Sequence, residues 1–524
     1  MKHTPPLLLL TVGTLSFACT DIDEPRPGEG ENQETATATT TTECSTPHVE
    51  GNTVLSEKIE IPYTTENMRR ALASLKAGNK STAVGGLTED SVCTTHLYLR
   101  FAPRDSTDVL ALETDTTIMF TDIPMDRDIV AIGDYYHDPS LPDSVPTYQY
   151  CAVRLGQSLP DVPHETLAEL FLLEETNVYD EAEPEAGNKA ADPLWENLEA
   201  EAYSLVGLSD YLEDEPTVGN KAKWRPGGCL KYEDSQKGII PLEGVPIRYH
   251  KLVIVHQCCT DAAGNFNFGR RRGKVRYYAK WQRDNFRILG VGNVFKTATT
   301  DLSGNTSRRI DHVIGNPGSN TWKYASVFRA AHTYYYKHGD YGLSRPEDKN
   351  LTIRLSEMTP TGRNSRFIPI RMLGMSEIKV YHRKLPSSDG LFHSTFHEIA
   401  HSAHYRWSRF DYASCGDKVR ESWARGAAWF VTNKLYPEFS AQYYDDYTGI
   451  VQSLVGGEIS KIDTKDGKLV EIPKVGPFTM SQIEKTLKGS RSWGQWAKKV
   501  EFLGRDKNER ENIRKLFDAW GNCQ

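Results

Sequence analysis

Residues 393–407 read HSTFHEIAHSAHYRW and hold four of the chain's fifteen histidines. His397 and His401 are four positions apart. On a helix they share one face, about 40° apart around the axis and about 6 Å apart along it. Two imidazoles so placed can converge on one metal ion. Glu398 follows His397 and lies about 100° further round. It is offset from the ligand positions yet within reach of a water beside the ion. Two neutral imidazoles and an adjacent carboxylate are the groups needed to bind zinc and to take a proton from the water it activates. Ile399 and Ala400 are apolar, as expected where the helix packs on its other side.

A catalytic zinc takes three protein ligands and keeps one position open. Two carboxylates downstream could complete the set. Asp411 lies in SRFDYASCG, and Glu421 lies in DKVRESWARGAAWF, twenty residues past His401. The second segment places Val419, Trp423, Ala427 and Phe430 at helical spacing. Glu421 falls off the centre of that stripe, where it could face the first helix. His397 and His401 are therefore expected zinc ligands, with Glu398 as general base and Asp411 or Glu421 as the third ligand. A tyrosine or histidine is expected to support the oxyanion. Tyr412, Tyr443, Tyr444 and Tyr447 are available, and Tyr447, read as part of the next helix, is favoured. His404 is expected beside the ligands or at the substrate edge. His393 is expected as a solvated helix residue.

The elements that must hold these groups can be read locally. Ser387, Ser388 or Asp389 can cap a helix running through the histidines. SEIKVYHRK, just before it, alternates and reads as a strand. An edge strand there would let an extended peptide pair beside the site. SNTWKYASVFRAAHTYYYKHG reads as a helix closing at Gly339, with His332 as a packing residue. Further helices are expected at GDKVRESWARGAAWFVTNKL, YDDYTGIVQSLVG, TMSQIEKTLKG, WGQWAKKVEFLG and NERENIRKLFDAWG.

A chain of 524 residues is too long for one ordinary core. Its net charge of −8 and lack of a long basic block argue against nucleic acid as a partner. Residues 1–19 read as an export signal ending at Cys19. Residues 20–47 are rich in Thr, Glu, Gly and Pro and read as a tether. A β-rich N-terminal domain is expected over 48–180. Within it YTTENMRRALASL and HETLAELFLLEE read as helices, and TTHLYLRFAP and TIMFTDI as strands. Residues 181–225 read as a linker with one helix, LWENLEAEAYSLVGL. Residues 226–292 read as short strands with a TDAAGNFNF turn, in which Gly264 suits a hairpin needing positive φ. Residues 293–524 carry the metal motif. None of the nine cysteines shows CxxC spacing, so a cysteine zinc site is not expected. Export would permit disulfides, but spacing does not assign their pairing.

Several of these motifs resemble known families. His397-Glu398-Ile399-Ala400-His401 with Glu421 is similar to the HExxH-x19-E pattern of the gluzincins, which implies His397, His401 and Glu421 as the zinc ligands. The metzincin pattern requires Gly and His where this chain has His404 and Trp407, and the G-T-x-D context of the aspzincins is missing around Asp411. GVPIRYHKLVIV with TDAAGNFNF resembles a transthyretin-like or carboxypeptidase-regulatory-like sandwich. LSFAC resembles a lipobox, and the acidic CTDIDEP behind it resembles a surface-export signal. THLYLRFAP, YYAKWQRDNFRI, FRAAHTYYYKHGDYGLSRP and FHEIAHSAHYRW resemble Bacteroidetes lipoproteins that end in a zinc-peptidase-type domain. The resemblance implies a multidomain α+β chain with a β-rich N-terminal domain, a transthyretin-like sandwich and a mainly helical zincin-like C-terminal domain. It also implies Zn2+ as cofactor, a peptide or protein substrate, and a lipid anchor on Cys19 in the outer membrane, facing the cell surface or the periplasm. The gluzincin aminopeptidases carry a G-x-M-E-N segment that is missing here, which points toward an endopeptidase. The rival expectation is a surface lipoprotein that binds protein or glycan and keeps a structural or vestigial zinc site. Oligomeric state is not read from the sequence.

Overall fold

The computed structural model describes residues 46–78, 86–115, 117–172, 193–212, 224–291, 296–347, 350–357, 365–370, 375–407 and 409–523. The export signal at 1–19 with Cys19, nearly all of the 20–47 tether and parts of the 181–225 linker lie outside them. The protein is a mixed α+β chain that forms two compact units. One contains the described residues up to 284 together with 289–325, and the other contains 285–288 and 326–523. The expected 48–180 domain falls in the first unit, as does nearly all of the expected 226–292 sandwich. No helix among the described residues is long and apolar enough to cross a membrane.

In the first unit, helix Thr65–Ala77 starts where Thr64 accepts a hydrogen bond from the Asn67 backbone at 3.1 Å. It buries Met68, Ala71, Leu72 and Leu75 against helix Pro193–Leu205. A three-stranded antiparallel sheet places His96–Phe101 between Gln149–Arg154 and His164–Leu170. The last of these corrects the expected helix at HETLAELFLLEE. Helix propensity is a weak prior, and a neighbouring strand rich in β-formers recruits this segment along its length. TIMFTDI is also corrected. It forms no strand and bridges only once, Thr121 to Tyr150, while Ile118, Met119 and Phe120 are buried. A short apolar run signals burial and does not by itself specify a ladder.

Two further sheets follow. One contains Gly227–Asp234 at its centre, flanked by Asn265–Asn267, Gly238–Pro241 and Ile310–Ile314. The other runs Thr299–Asp301, Arg276–Lys280, Pro246–Lys251, Ile254–Cys259. Phe266 from the first, and Phe268 just past its strand, meet Tyr249 and Tyr277 from the second at ring distances of 4.8–6.5 Å, which makes an aromatic core. Gly264 has φ +80°, and a Cβ there would lie 2.4 Å from the Leu230 carbonyl oxygen. The turn therefore requires glycine. The seven described cysteines form no disulfide.

The second unit is built around a mixed sheet with the order Phe286–Ile288, Leu351–Glu357, Met375–His382, Arg366–Ile370. The first three are parallel and the last is antiparallel. The strand before the histidine helix is thus not the expected edge. Met375–His382 is paired on both sides, and Arg366–Ile370 is the edge. Period-2 alternation reports a half-buried strand but carries no information on its neighbours. Pro369 fits the edge assignment, because a proline cannot donate to a ladder. Helix Asn320–Lys337 ends two residues before the expected Gly339. A short turn follows, and Gly342 supplies the left-handed residue at φ 68°. His332 packs between the rings of Phe328 and Tyr336.

Candidate metal centre

Helix Ser388–Trp407 carries the histidines. Of the three possible caps, Ser387 serves, accepting from the Gly390 backbone N–H at 3.2 Å. From Ser388 to Tyr405 every residue except Ser394 is buried. Phe396 stacks on Tyr334 at 4.4 Å, Phe392 meets Tyr436, and Tyr405 meets Phe367 of the edge strand. A helix buried on all sides is normally apolar. This one instead buries His393, Thr395, His397, Glu398, His401, Ser402 and His404. Desolvating so many polar groups is costly unless they are used.

The second helix, Asp417–Leu435, packs along the first. Val419, Trp423 and Ala427 are buried as expected, and Phe430 is half-buried. Glu421 is buried as well and faces the histidine helix. Its Oε2 lies 3.2 Å from His397 Nε2 and 3.0 Å from His401 Nε2, and the two Nε2 atoms are 3.0 Å apart. Three lone-pair atoms thus converge on one point. A tetrahedral ion about 2.0–2.1 Å from each donor would hold them roughly 3.3 Å apart, so the set fits a zinc-sized ion. Among the described residues this is the one buried His/Cys/Asp/Glu trio so arranged.

The electrostatics agree. Burial raises the Glu421 carboxyl, but His401 and His397 outweigh it and hold it well below the usual carboxylate range. Burial pushes the His401 imidazole down, which keeps it neutral and able to coordinate. Glu398 is fully buried one position past His397, offset from the ligand set by the helical step.

Asp411, the competing third ligand, is directed elsewhere: it accepts from Gly489 N at 2.9 Å and from Arg491 Nε at 3.2 Å. His404 is buried with its ring against Tyr412 at 5.0 Å, and burial, then His401 and Arg420, push it down to about 3. His393 corrects the expectation of a solvated residue. It is fully buried, packed on Phe439 at 4.8 Å, because the helix is central to its unit rather than on a surface.

Tyr447 precedes helix Ile450–Leu454 rather than lying on it, since that helix is shorter than expected. It still reaches the site, stacking on His397 with ring centroids 6.1 Å apart. Residues missed at the level of sequence hold it there. The Arg425 guanidinium lies 4.6 Å over the Tyr447 ring and 5.4 Å over Tyr444, and donates to the Gln442 carbonyl. Ser422, one residue after Glu421, bonds Thr448 Oγ1 at 2.7 Å and the Asp446 carbonyl at 3.0 Å. The only signal that could have pointed to them was position. Ser422 and Arg425 follow Glu421 by one and four residues. Compared with protein-family models and with curated proteins, the chain matches none.

Proposed function

We propose that the protein is a zinc-dependent peptidase of the gluzincin type that hydrolyses peptide bonds and is exported as a lipoprotein through Cys19. The observation that carries this reading is the buried convergence of His397, His401 and Glu421 within 3.0–3.2 Å, with Glu398 beside it. Two neutral imidazoles and one carboxylate are a donor set suited to zinc. Bound there, zinc would supply Lewis acidity toward a peptide carbonyl and would acidify water. Glu398 takes the proton from the attacking water and delivers it to the departing amine. Tyr447, fixed by Arg425, supports the oxyanion with its hydroxyl. An extended substrate pairs along the edge strand Arg366–Ile370, where Pro369 limits the backbone donors. In the same reading the second unit is zincin-like and the two four-stranded sheets of the first are a transthyretin-like sandwich.

The test is cleavage of a broad peptide library by zinc-loaded wild type and by Glu398→Gln. Cleavage by the wild type, reduced about 10²- to 10⁴-fold in the variant with zinc retained, is the expected outcome. If fully zinc-loaded wild type cleaves no peptide, the peptidase reading fails and the binding-protein alternative takes its place.

A further inference from the structure

The first unit encloses a cavity of about 660 Å³ that the metal chemistry does not use. Its wall follows from strand periodicity. Side chains alternate across a sheet, so residues two apart share a face. On Pro246–Lys251, Ile247 and Tyr249 point into the aromatic core, while Arg248 and His250 line the cavity. On Arg276–Lys280, Tyr277 and Ala279 point into the core, while Arg276, Tyr278 and Lys280 line the cavity. The register sets Arg276 opposite His250 and Tyr278 opposite Arg248. This polar face would ordinarily meet solvent, but here Phe120, Asp122, Ile123 and residues 132–136 line the same cavity.

Several charges in the wall are paired, while Arg127, Lys274, Asp128 and Asp134 line it outside any ion pair among the described residues. Arg276 pairs with Asp301 at 2.5 Å, Lys280 with Glu113 at 2.8 Å, and Lys296 with Asp122. Arg248 differs. It is buried, and its guanidinium is held by neutral oxygens only: Gln257 Oε1 at 2.7 Å, the Phe120 carbonyl at 3.1 Å and the Tyr278 hydroxyl. No carboxylate among the described residues pairs with it. A buried charge without a counter-charge is unfavourable, and an oxyanion in the cavity would supply one. Two residues along the same strand, His250 Nε2 is buried without a hydrogen-bond partner. The Leu252 backbone engages the ring in a bond that favours its protonated form, so Nδ1 donates there. Nε2 is then an acceptor, suited to a hydroxyl group. Tyr135, Tyr136 and Tyr324 add aromatic faces to the wall.

We propose that this cavity binds an acidic sugar of mono- to disaccharide size, with its oxyanion on Arg248 and a hydroxyl on His250 Nε2. The volume suits such a molecule, and Arg248 and His250 share one face of the strand, two residues apart. This proposal is independent of the zinc reading. The oxyanion could be a carboxylate or a phosphate, which the probes separate.

The experiment is calorimetric titration of the full chain with glucuronate, galacturonate, glucose 6-phosphate and glucose. At least one acidic sugar should bind saturably, and glucose should bind about ten- to a hundredfold more weakly. Uronates winning over the phosphate identify a carboxylate ligand, and the reverse a phosphorylated one. Arg248→Gln should weaken the acidic sugar by a similar factor without lowering the melting temperature, since it removes an unneutralised buried charge. Should that variant fail to fold, His250→Phe provides the second arm, with affinity lost and the fold kept. Equal binding of glucose and uronates, saturable binding by none of the four, or full affinity in a folded variant would overturn the proposal.

Discussion

Glu398 and Glu421 are both buried glutamates near one pair of histidines, and their placement gives them different roles. Glu421 has Oε2 3.0–3.2 Å from both imidazoles. Replacing it with Gln removes the anionic donor, so zinc affinity should fall about 10- to 100-fold or more, measured by competition with a chelating dye. Tyr447 gives a second residue-scale prediction. Tyr447→Phe keeps the ring on His397 and removes only the hydroxyl, so kcat should drop about a hundredfold with zinc content unchanged. Turnover equal to wild type would reduce Tyr447 to a packing residue. His397, Glu398 and His401 were legible in the sequence because their relation is local and set by the helical repeat. Glu421 was legible through its spacing. Arg425 and Ser422 were not, since they act by touching a loop some 20 residues away and nothing in their own neighbourhood reports it.

At the scale of elements, the site depends on how closely helix Ile450–Leu454 approaches helix Asp417–Leu435. A Cβ at Gly426 would sit 2.2 Å from the Val451 Cβ, so no side chain fits without displacing the shorter helix. Gly426→Ala should therefore cost about 1–3 kcal/mol in urea unfolding through overpacking, despite the better helix propensity of Ala. It should also lower activity by moving the loop that carries Tyr447. A variant as stable as wild type would show that the two helices can separate freely. The long helix Asp417–Leu435 was legible in the sequence through the helical spacing of Val419, Trp423 and Ala427, as was the capped helix at Thr479. His164–Leu170 was not, because its strand identity comes from pairing with His96–Phe101. The edge of the mixed sheet was not legible either, because an edge is defined by which neighbour is missing. That fact lies in the topology rather than in any one segment.

At the scale of the whole molecule, the two units should respond to different variables. In the first, burial, with Arg154, Arg276 and Arg271 nearby, pushes His96 and His250 down to about 4 and His256 to about 3. Their unfolded value is near 6.5, so between about pH 4 and 6.5 the unfolded chain binds more protons and stability rises with pH. Asp301, pushed up to about 6 by burial against the pull of Arg276, and Asp128, raised by burial, act in the opposite sense, but they are two groups against three. The denaturant midpoint of the first unit should therefore fall between pH 7.5 and 5.5, and a flat profile would mean these histidines are solvated. The second unit should instead respond to metal. Chelation should raise hydrogen exchange in residues 388–435 and leave 246–259 unchanged, since binding stabilises only the fold that holds the ion. Whether His397, His401 and Glu421 hold zinc is read from the zinc content of the full chain purified without chelators. About one zinc per chain is expected in wild type and in Glu398→Gln, and none in His401→Ala. A wild-type protein that takes up no zinc when offered it, or a His401→Ala protein that keeps its zinc, would contradict that expectation.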